Sequence, residues 1–242
     1  MTGRAPVVHC PSTSTARWAD VRRKARPWVP PDVPMFVVVP HPDDEALGCG
    51  GLIAHQRARG VPVTVCAVTD GEAAYPGAVV GAELARLRRD EQVAALGELG
   101  VATPAVRLAL PDGAVARHEA ALADRLTALA DGAGLLVAPW FLDHHADHEA
   151  CGRAAGVAAG RLGVPVVHSL FWAWHYATID DLLAADLLAL PLDHDARERR
   201  RRALACHETQ LTDLVAPRLL GGAELEPITW PTEYLVAASG RP

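Results

Sequence analysis

The sequence predicts an α/β fold in which a mostly parallel β-sheet carries helices on both faces. Short apolar runs of the length of buried strands alternate with longer segments that have helical periodicity. Strand–helix alternation implies crossover connections, which place parallel strands in one sheet and pack the helices against its two faces. A chain of 242 residues, 50% of them hydrophobic, is long enough to bury the core of such a three-layer, Rossmann-like domain.

The predicted elements follow one another regularly from residue 35 onwards. We predict strands at 35–39, 61–69, 105–110, 134–138, 165–172 and, near the end of the chain, 232–236. We predict helices at 46–59, 81–99, 117–130, 147–162, 178–190 and 195–214. Gly60, Gly100 and Gly163 each stand where a helical pattern ends, as glycine at a helix C-terminus typically does.

The first 34 residues differ from the rest of the chain. Residues 16–24 have the pattern of a short helix with Thr15 as its N-cap. Pro30, Pro31 and Pro34 then follow within five residues, and this density of proline excludes a helix or a central strand. We interpret residues 1–34 as an N-terminal arm that lies on a single domain formed by residues 35–242.

The composition excludes several classes of protein. A formal net charge of −6 argues against nucleic acid as the main partner, because phosphate binding needs a basic surface. No run approaches the ~18 apolar residues of a membrane span, and the N-terminus lacks the apolar run of a secretory signal. The 5 cysteines are scattered and never spaced as Cys-x-x-Cys, so we expect reduced thiols in a cytoplasmic protein. Abundant alanine, arginine and glycine favour a bacterial source of high GC content.

A first chemical cluster, His41-Pro42-Asp43-Asp44-Glu45, comes directly after the first predicted strand. In an open parallel sheet, ligands bind outside the carboxyl ends of the strands. Three consecutive acids at such a place are costly unless they are solvated, paired or bound to a metal. His41 and Asp44 are three residues apart and can face one cation, which leaves Asp43 free to move protons. The structural alternative is an acidic N-cap for the next helix.

A second cluster, Asp143-His144-His145-Ala146-Asp147-His148, follows the fourth predicted strand. His145 and His148 are three apart at the start of a helix and can share a face. Together with His41 and Asp44, they supply the histidine nitrogens and the carboxylate of a catalytic zinc site that keeps one open position. Ligation by nitrogen and oxygen also permits Fe, Co or Mn. The alternative is an exposed loop that happens to be rich in histidine.

These two strings together resemble the PIG-L/LmbE-like deacetylase family, which carries His-Pro-Asp-Asp-Glu and a later His-x-Asp-His. The chain has both, in that order, at 41–45 and 145–148. Pro111-Asp112-Gly113 and His207-Glu208-Thr209-Gln210 are weaker family-like features, the second with Thr209 in place of serine. Ala146 is a departure, because many members carry proline there. The resemblance covers residues 35–215.

The resemblance implies a zinc-dependent hydrolase that removes the N-acetyl group from an amino sugar and yields acetate and a free amine. It assigns the metal ligands to His41, Asp44 and His148. Asp43 would be the general base that takes a proton from the metal-held water. Protonated His145 would stabilise the oxyanion, and Asp147 would orient His145 and raise its pKa.

The resemblance implies as substrate an N-acetylglucosamine unit in a small-molecule glycoconjugate. For a bacterial source, we expect that glycoconjugate to belong to thiol or secondary metabolism. Trp172 and Trp174 alternate with Ala173 at the end of the fifth predicted strand, so we expect both rings on one face, where they could cover a sugar. His175 and Arg88 are further candidate substrate contacts. A packing role in the core is the alternative for each tryptophan.

The sequence leaves three alternatives to an N-acetyl-sugar deacetylase. An amidase that removes a larger acyl group fits equally well, because no motif measures the acyl pocket. A non-catalytic sugar- or metal-binding domain is disfavoured by the free base Asp43. A dinucleotide-binding oxidoreductase is disfavoured because Gly48-Cys49-Gly50-Gly51 lacks Gly-x-Gly-x-x-Gly, and because the acidic turn would repel a pyrophosphate. The sequence does not indicate an oligomeric state.

Overall fold

The computed structural model describes residues 18–75, 81–215 and 217–238, and these contain one sheet of eight strands. The strands are β1 Arg26–Pro27, β2 Met35–Val39, β3 Val63–Ala67, β4 Val106–Arg107, β5 Leu135–Pro139, β6 Val166–Ser169, β7 Leu187–Pro191 and β8 Thr232–Ala237. Their order across the sheet is β1-β7-β8-β6-β5-β2-β3-β4. Only β8 runs antiparallel to its neighbours, β6 and β7. The predicted α/β class with a mostly parallel sheet is therefore confirmed.

Ten α-helices lie within the described ranges. They are α1 Ala19–Lys24, α2 Asp44–Ala58, α3 Gly81–Glu98, α4 Glu119–Leu129, α5 Ala146–Leu162, α6 Ala173–Tyr176, α7 Ile179–Ala184, α8 His194–Ala205, α9 Glu208–Leu211 and α10 Glu226–Thr229. Two 3₁₀ turns, Val115–His118 and Gly222–Leu225, precede α4 and α10. No helix in the described ranges combines the length and the apolar composition needed to cross a membrane.

The alternation of side chains along β2 divides the main core between the two faces of the sheet. Met35, Val37 and Val39 pack on one face against residues of α2, α3 and α8. Phe36 and Val38 pack on the other face against residues of α4 and α5. A strand buried on both faces has to be apolar at every position, which explains its uninterrupted run of hydrophobic residues.

Strand β7 was not predicted, because residues 178–190 have the composition of a helix. The structure ends α7 at Ala184 and places Leu187–Pro191 between β1 and β8. Leucine and alanine have no strong intrinsic preference for a strand. Pairing on both sides and burial of Leu187, Leu188 and Leu190 decide the conformation instead.

Several other predicted elements are shorter than expected, and two of these differences bear on the candidate site. The strand predicted at 165–172 ends at Ser169, and the chain turns into α6 at Ala173. The helix predicted at 195–214 is interrupted at Cys206 and His207, between α8 and α9. Both interruptions bring polar or aromatic side chains to the carboxyl edge of the sheet.

Residues 18–34, the part of the predicted arm that the structure describes, pack closely onto the sheet. Trp18 and Val21 are buried, and β1 pairs in parallel with β7. Thr15, the predicted cap of α1, lies outside the described residues, and α1 begins at Ala19. The division at residue 34 stays a prediction.

Candidate active site

The two predicted clusters meet where the strand order reverses. The chain proceeds from β2 to β3 and β4 on one side, and then crosses back to place β5 and β6 on the other side of β2. The loops that follow β2 and β5 therefore open side by side, as expected at the ligand-binding switch point of an open α/β sheet. His41 follows β2, whereas His148 lies in the first turn of α5.

The structure brings together the three predicted metal ligands. One ring nitrogen each from His41 and His148 and one carboxylate oxygen of Asp44 lie within 4.8 Å of one another. His148 Nε2 is 3.3 Å from Asp44 Oδ1, and His41 Nδ1 is 3.2 Å from Asp44 Oδ2. The backbone N–H of His41 donates to Asp44 Oδ2 at 2.9 Å, which fixes the carboxylate between the two rings.

Each histidine also faces a carboxylate with its other ring nitrogen. His148 Nδ1 lies 2.9 Å from Asp143 Oδ2. His41 Nε2 lies 3.2 Å from Asp112 Oδ1 and 3.4 Å from Asp147 Oδ2. Metal-binding histidines commonly donate their second N–H to a carboxylate, which sets the tautomer and the ring orientation.

The residues present fit a divalent cation. His148 Nε2 is buried and makes no hydrogen bond to any described residue, although it points at Asp44. Burial alone would lower the pKa of His148, but the Asp44 and Asp143 carboxylates raise it to about 9. Burial opposes ionisation of Asp44 as well, yet the two histidines hold its pKa well below the usual range. These groups therefore favour positive charge between them.

Asp43 lies beside this group but is held by different partners. Its carboxylate Oδ2 accepts from Arg88 Nη2 at 3.1 Å, and its backbone has φ 135°, a region that non-glycine residues rarely occupy. Burial raises the pKa of Asp43 to about 6, although the Arg88 guanidinium opposes this shift. Asp43 can therefore take up a proton near neutral pH, which suits a general base.

Arg88 faces the cleft, but both of its terminal nitrogens, Nη1 and Nη2, already donate to other parts of the protein. It donates from Nη2 to Pro42 O at 2.7 Å and from Nη1 to Gly71 O at 3.1 Å, and only 3% of it is exposed. Gly71 adopts φ +66°, and an added Cβ would overlap the guanidinium. Arg88 thus contacts Asp43 directly, and its predicted contact with substrate stays a prediction.

His145 lies at the same opening, without the partner that we predicted. Its ring centroid is 4.8 Å from that of His148, and it stacks on Trp172 at 6.3 Å with an interplanar angle of 18°. Burial, with the charges of His148 and His41, lowers the pKa of His145 to about 3. Asp147 accepts instead from the backbone N–H groups of Gly113 and Val115 at 2.7 and 3.1 Å. Asp147 therefore forms no hydrogen bond with His145 in the structure, although its charge tends to raise the pKa of His145, as predicted. Burial outweighs that effect and favours neutral His145 over the predicted protonated state, and the roles of both residues in the reaction stay predictions.

The open side of the site is a cleft of about 650 Å³. The polar residues that line the cleft include the candidate metal ligands and His145. The apolar residues that line it include Leu47, Phe171, Trp172, Tyr176, Leu219 and Leu220.

The two predicted tryptophans have different surroundings. Trp172 lines the cleft, but Trp174 is 3% exposed and packs edge-on against Trp18 and Trp230. The expectation that both rings share one face is wrong, because the segment is helical at this point and not extended. His175 packs edge-on against Phe171, behind the residues that line the cleft.

Sequence reasoning did not assign a role in the site to Asp112 or Asp143. Asp143 is fully buried and also accepts from the backbone N–H groups of Phe171 and Ala173 at 3.1 and 2.9 Å, so it ties the β5 loop to the start of α6. The sequence signal for Asp143 was its position in the loop after β5, five residues before His148. Asp112 follows β4, so its place at a strand end was a comparable signal.

The chain is similar to known proteins over most of its length. The model of the family described as PIG-L: GlcNAc-PI de-N-acetylase matches residues 36–159. The chain belongs to this family. A 1D-myo-inositol 2-acetamido-2-deoxy-alpha-D-glucopyranoside deacetylase of Mycolicibacterium vanbaalenii is 31% identical over 267 residues, which cover 85% of this chain and 91% of that protein.

Two further proteins define the extent of the similarity. A Nocardia farcinica deacetylase of the same name is 50% identical, but only over 56 residues, which are 23% of this chain and 18% of that protein. The crystal structure of the A40926 pseudoaglycone deacetylase superposes with a TM-score of 0.69 at 24% identity, covering 86% of this chain and 97% of that one. This second match shows a shared fold.

Proposed function

We propose that this PIG-L protein is a metal-dependent hydrolase that removes the acetyl group from an N-acetylated amino sugar. The observation that carries the proposal is the juxtaposition of His41, Asp44 and His148 with a separately held carboxylate, Asp43. A curated relative that aligns over most of the chain is named as a deacetylase of an N-acetylglucosamine glycoside. We therefore expect a glycoside of N-acetylglucosamine as substrate.

His41, Asp44 and His148 would hold the metal, for which zinc fits because the ligands are nitrogen and oxygen atoms. Such an ion, when bound, polarises a carbonyl group and lowers the pKa of a water ligand from 15.7 to about 7. Asp143 and the Asp112–Asp147 pair orient the two imidazoles from behind. The ligand geometry thus depends on three carboxylates that do not belong to the ligand set.

The chain's own residues account for the movement of protons. Asp43 takes a proton from the attacking water and, as a carboxylic acid, returns it to the leaving nitrogen. A pKa of about 6 permits both states near neutral pH. His145, neutral in this environment, offers a ring N–H to the developing negative charge on the carbonyl oxygen. Trp172 presents an aromatic face on which the apolar face of a sugar can rest.

The direct test is release of acetate and free amine from a panel of N-acetylglucosaminides, with metal analysis of the same sample. The panel carries matched N-acetyl and longer N-acyl groups on one glycoside. We expect release from the N-acetyl members, loss of activity with a chelator, and recovery on adding zinc. Binding without release would indicate a non-catalytic domain, and release only from longer acyl groups would indicate an amidase.

A further inference from the structure

A buried polar cluster lies behind Asp43, on the side away from the cleft. Its centre is Glu45, which is fully buried in the first turn of α2. Glu45 Oε1 lies 2.9 Å from His207 Nε2, and Glu45 Oε2 accepts from Gln92 Nε2 at 2.9 Å. His207 comes from the break between α8 and α9, and Gln92 from α3. Three distant parts of the chain therefore meet at one carboxylate.

The same carboxylate contacts the backbone of Asp43. Glu45 Oε2 accepts from the Asp43 N–H at 3.3 Å. Asp43 has φ 135° and ψ −27°, and a non-glycine residue keeps such a conformation only where its surroundings enforce it. Arg88 binds the Asp43 side chain, and Glu45 binds its backbone N–H. The position of the Asp43 carboxylate thus depends on both contacts.

Packing alone does not account for Glu45. A buried carboxylate has a large desolvation cost, and an apolar residue of similar volume usually stabilises a core equally well or better. Glu45, His207 and Gln92 are each at most 1% exposed, so solvent does not offset this cost. The metal ligand next in sequence is held separately, because Asp44 Oδ2 accepts from the His41 N–H at 2.9 Å. A change at Glu45 should therefore act on Asp43 more than on the ligand group.

We propose that His207 and Gln92 are positioning residues, which act through Glu45 to hold Asp43 where it can take a proton from water. This inference depends on the proposed function in one respect, namely that Asp43 is the general base. The orientation of Glu45 is set by its two donors, and a small displacement of a catalytic group lowers turnover far more than it lowers substrate binding.

The first test compares His207→Leu with Thr209→Val. Both residues are 0% exposed, lie two positions apart, and contact a glutamate, since the Thr209 hydroxyl donates to Glu91 at 2.7 Å. We expect His207→Leu to lower kcat by about 10- to 100-fold, with little change in KM and with full metal content. Thr209→Val should leave kcat unchanged. Equal kcat for His207→Leu and wild type would overturn the proposal.

A conservative substitution at His207 and a double-mutant cycle with Asp43 show whether a loss of kcat comes from misplaced Asp43 or from a general loss of structure. His207→Gln keeps a donor and should restore most of kcat. In an Asp43→Asn background, His207→Leu should change the residual rate by less than about twofold, because residues that act through one group are not additive. Full additivity would contradict the proposal. If His207→Leu does not fold, Gln92→Leu removes the other donor to Glu45 and should give the same pattern.

A crystal structure of the same variant gives a readout that does not need activity. We expect Asp43 in His207→Leu, or in Gln92→Leu, to leave the positive-φ region. Asp43 remaining at its original φ would refute the positioning role even if no substrate were known. Wild-type protein that releases no acetate would instead refute the proposed function, so the two failures are distinguishable.

Discussion

Asp143→Asn tests how far the metal site depends on a residue outside the ligand set. Asp143 Oδ1 accepts from the backbone N–H groups of Phe171 and Ala173, and Asp143 Oδ2 lies 2.9 Å from His148 Nδ1. An asparagine keeps the shape but replaces one acceptor with an NH₂ donor, which must then face either His148 or the backbone donors. Loss of such a partner typically weakens metal affinity 10- to 100-fold. A tenfold loss corresponds to about 1.4 kcal/mol.

The assay is competition for zinc against a chelating dye, with thermal unfolding measured on the metal-free samples. We expect the Kd of Asp143→Asn to rise by at least about tenfold. The matched control is Asp193→Ala, which removes the N-cap of α8, where Asp193 accepts from the Ala196 N–H at 2.8 Å. It should cost about 1 kcal/mol of stability and leave the Kd unchanged. An unchanged Kd for Asp143→Asn would refute the argument that this carboxylate orients His148.

Three further outcomes follow from the packing and from the buried charges. Gly152→Ala should destabilise the fold by about 1–3 kcal/mol in denaturant unfolding, because its Cβ would lie 2.4 Å from Pro139 O; unchanged stability would contradict this close approach. Glu233→Gln should lower the free energy of unfolding by about 3–5 kcal/mol, because it leaves the buried Arg200 guanidinium, 3.2 Å away, without its counter-charge. A loss of stability below about 1 kcal/mol would contradict the importance of this ion pair. Burial tends to lower the pKa of His207, but the contact with Glu45 raises it overall. Its stabilisation should therefore be complete below the unfolded value of about 6.5 and decline as pH rises through the folded pKa. The difference in unfolding free energy between wild type and His207→Gln, measured from pH 5 to 9, should shrink with rising pH; growth would contradict the sign.

The central features of the fold could be predicted because local pattern and tertiary environment agree there. Strand β2 is apolar at every position since both of its faces are buried, and Gly163 ends α5 in the left-handed conformation, as predicted. Strand β7 could not be predicted, because its leucines favour a helix locally and only pairing with β1 and β8 makes it a strand. The burial of Trp174 could not be predicted either, because it depends on β6 ending at Ser169 and on the helix that begins at Ala173.

The meeting of the two clusters could be predicted because the carboxyl ends of neighbouring strands, here β2 and β5, lie at one edge of the sheet. The choice of candidate ligands within the clusters came from the family resemblance. The partners behind them could not be assigned from spacing. Asp147 is two residues from His145 in sequence, yet its oxygens bind backbone N–H groups of the loop after β4. Glu45 and His207 are separated by 162 positions and meet only because α8 ends against α2 and α3. Contacts of this kind depend on helix packing, which periodicity does not report.

The most direct test of the account is Asp43→Asn, with bound metal and turnover determined on one sample. Asp43 binds Arg88 and is not one of the candidate ligands, so the variant should retain the wild-type metal content. Its kcat for an N-acetylglucosaminide should fall by about 10²- to 10⁴-fold, the usual contribution of a general base. Loss of the metal, or turnover within a few-fold of wild type, would contradict the assignment of Asp43 and with it the proposed mechanism.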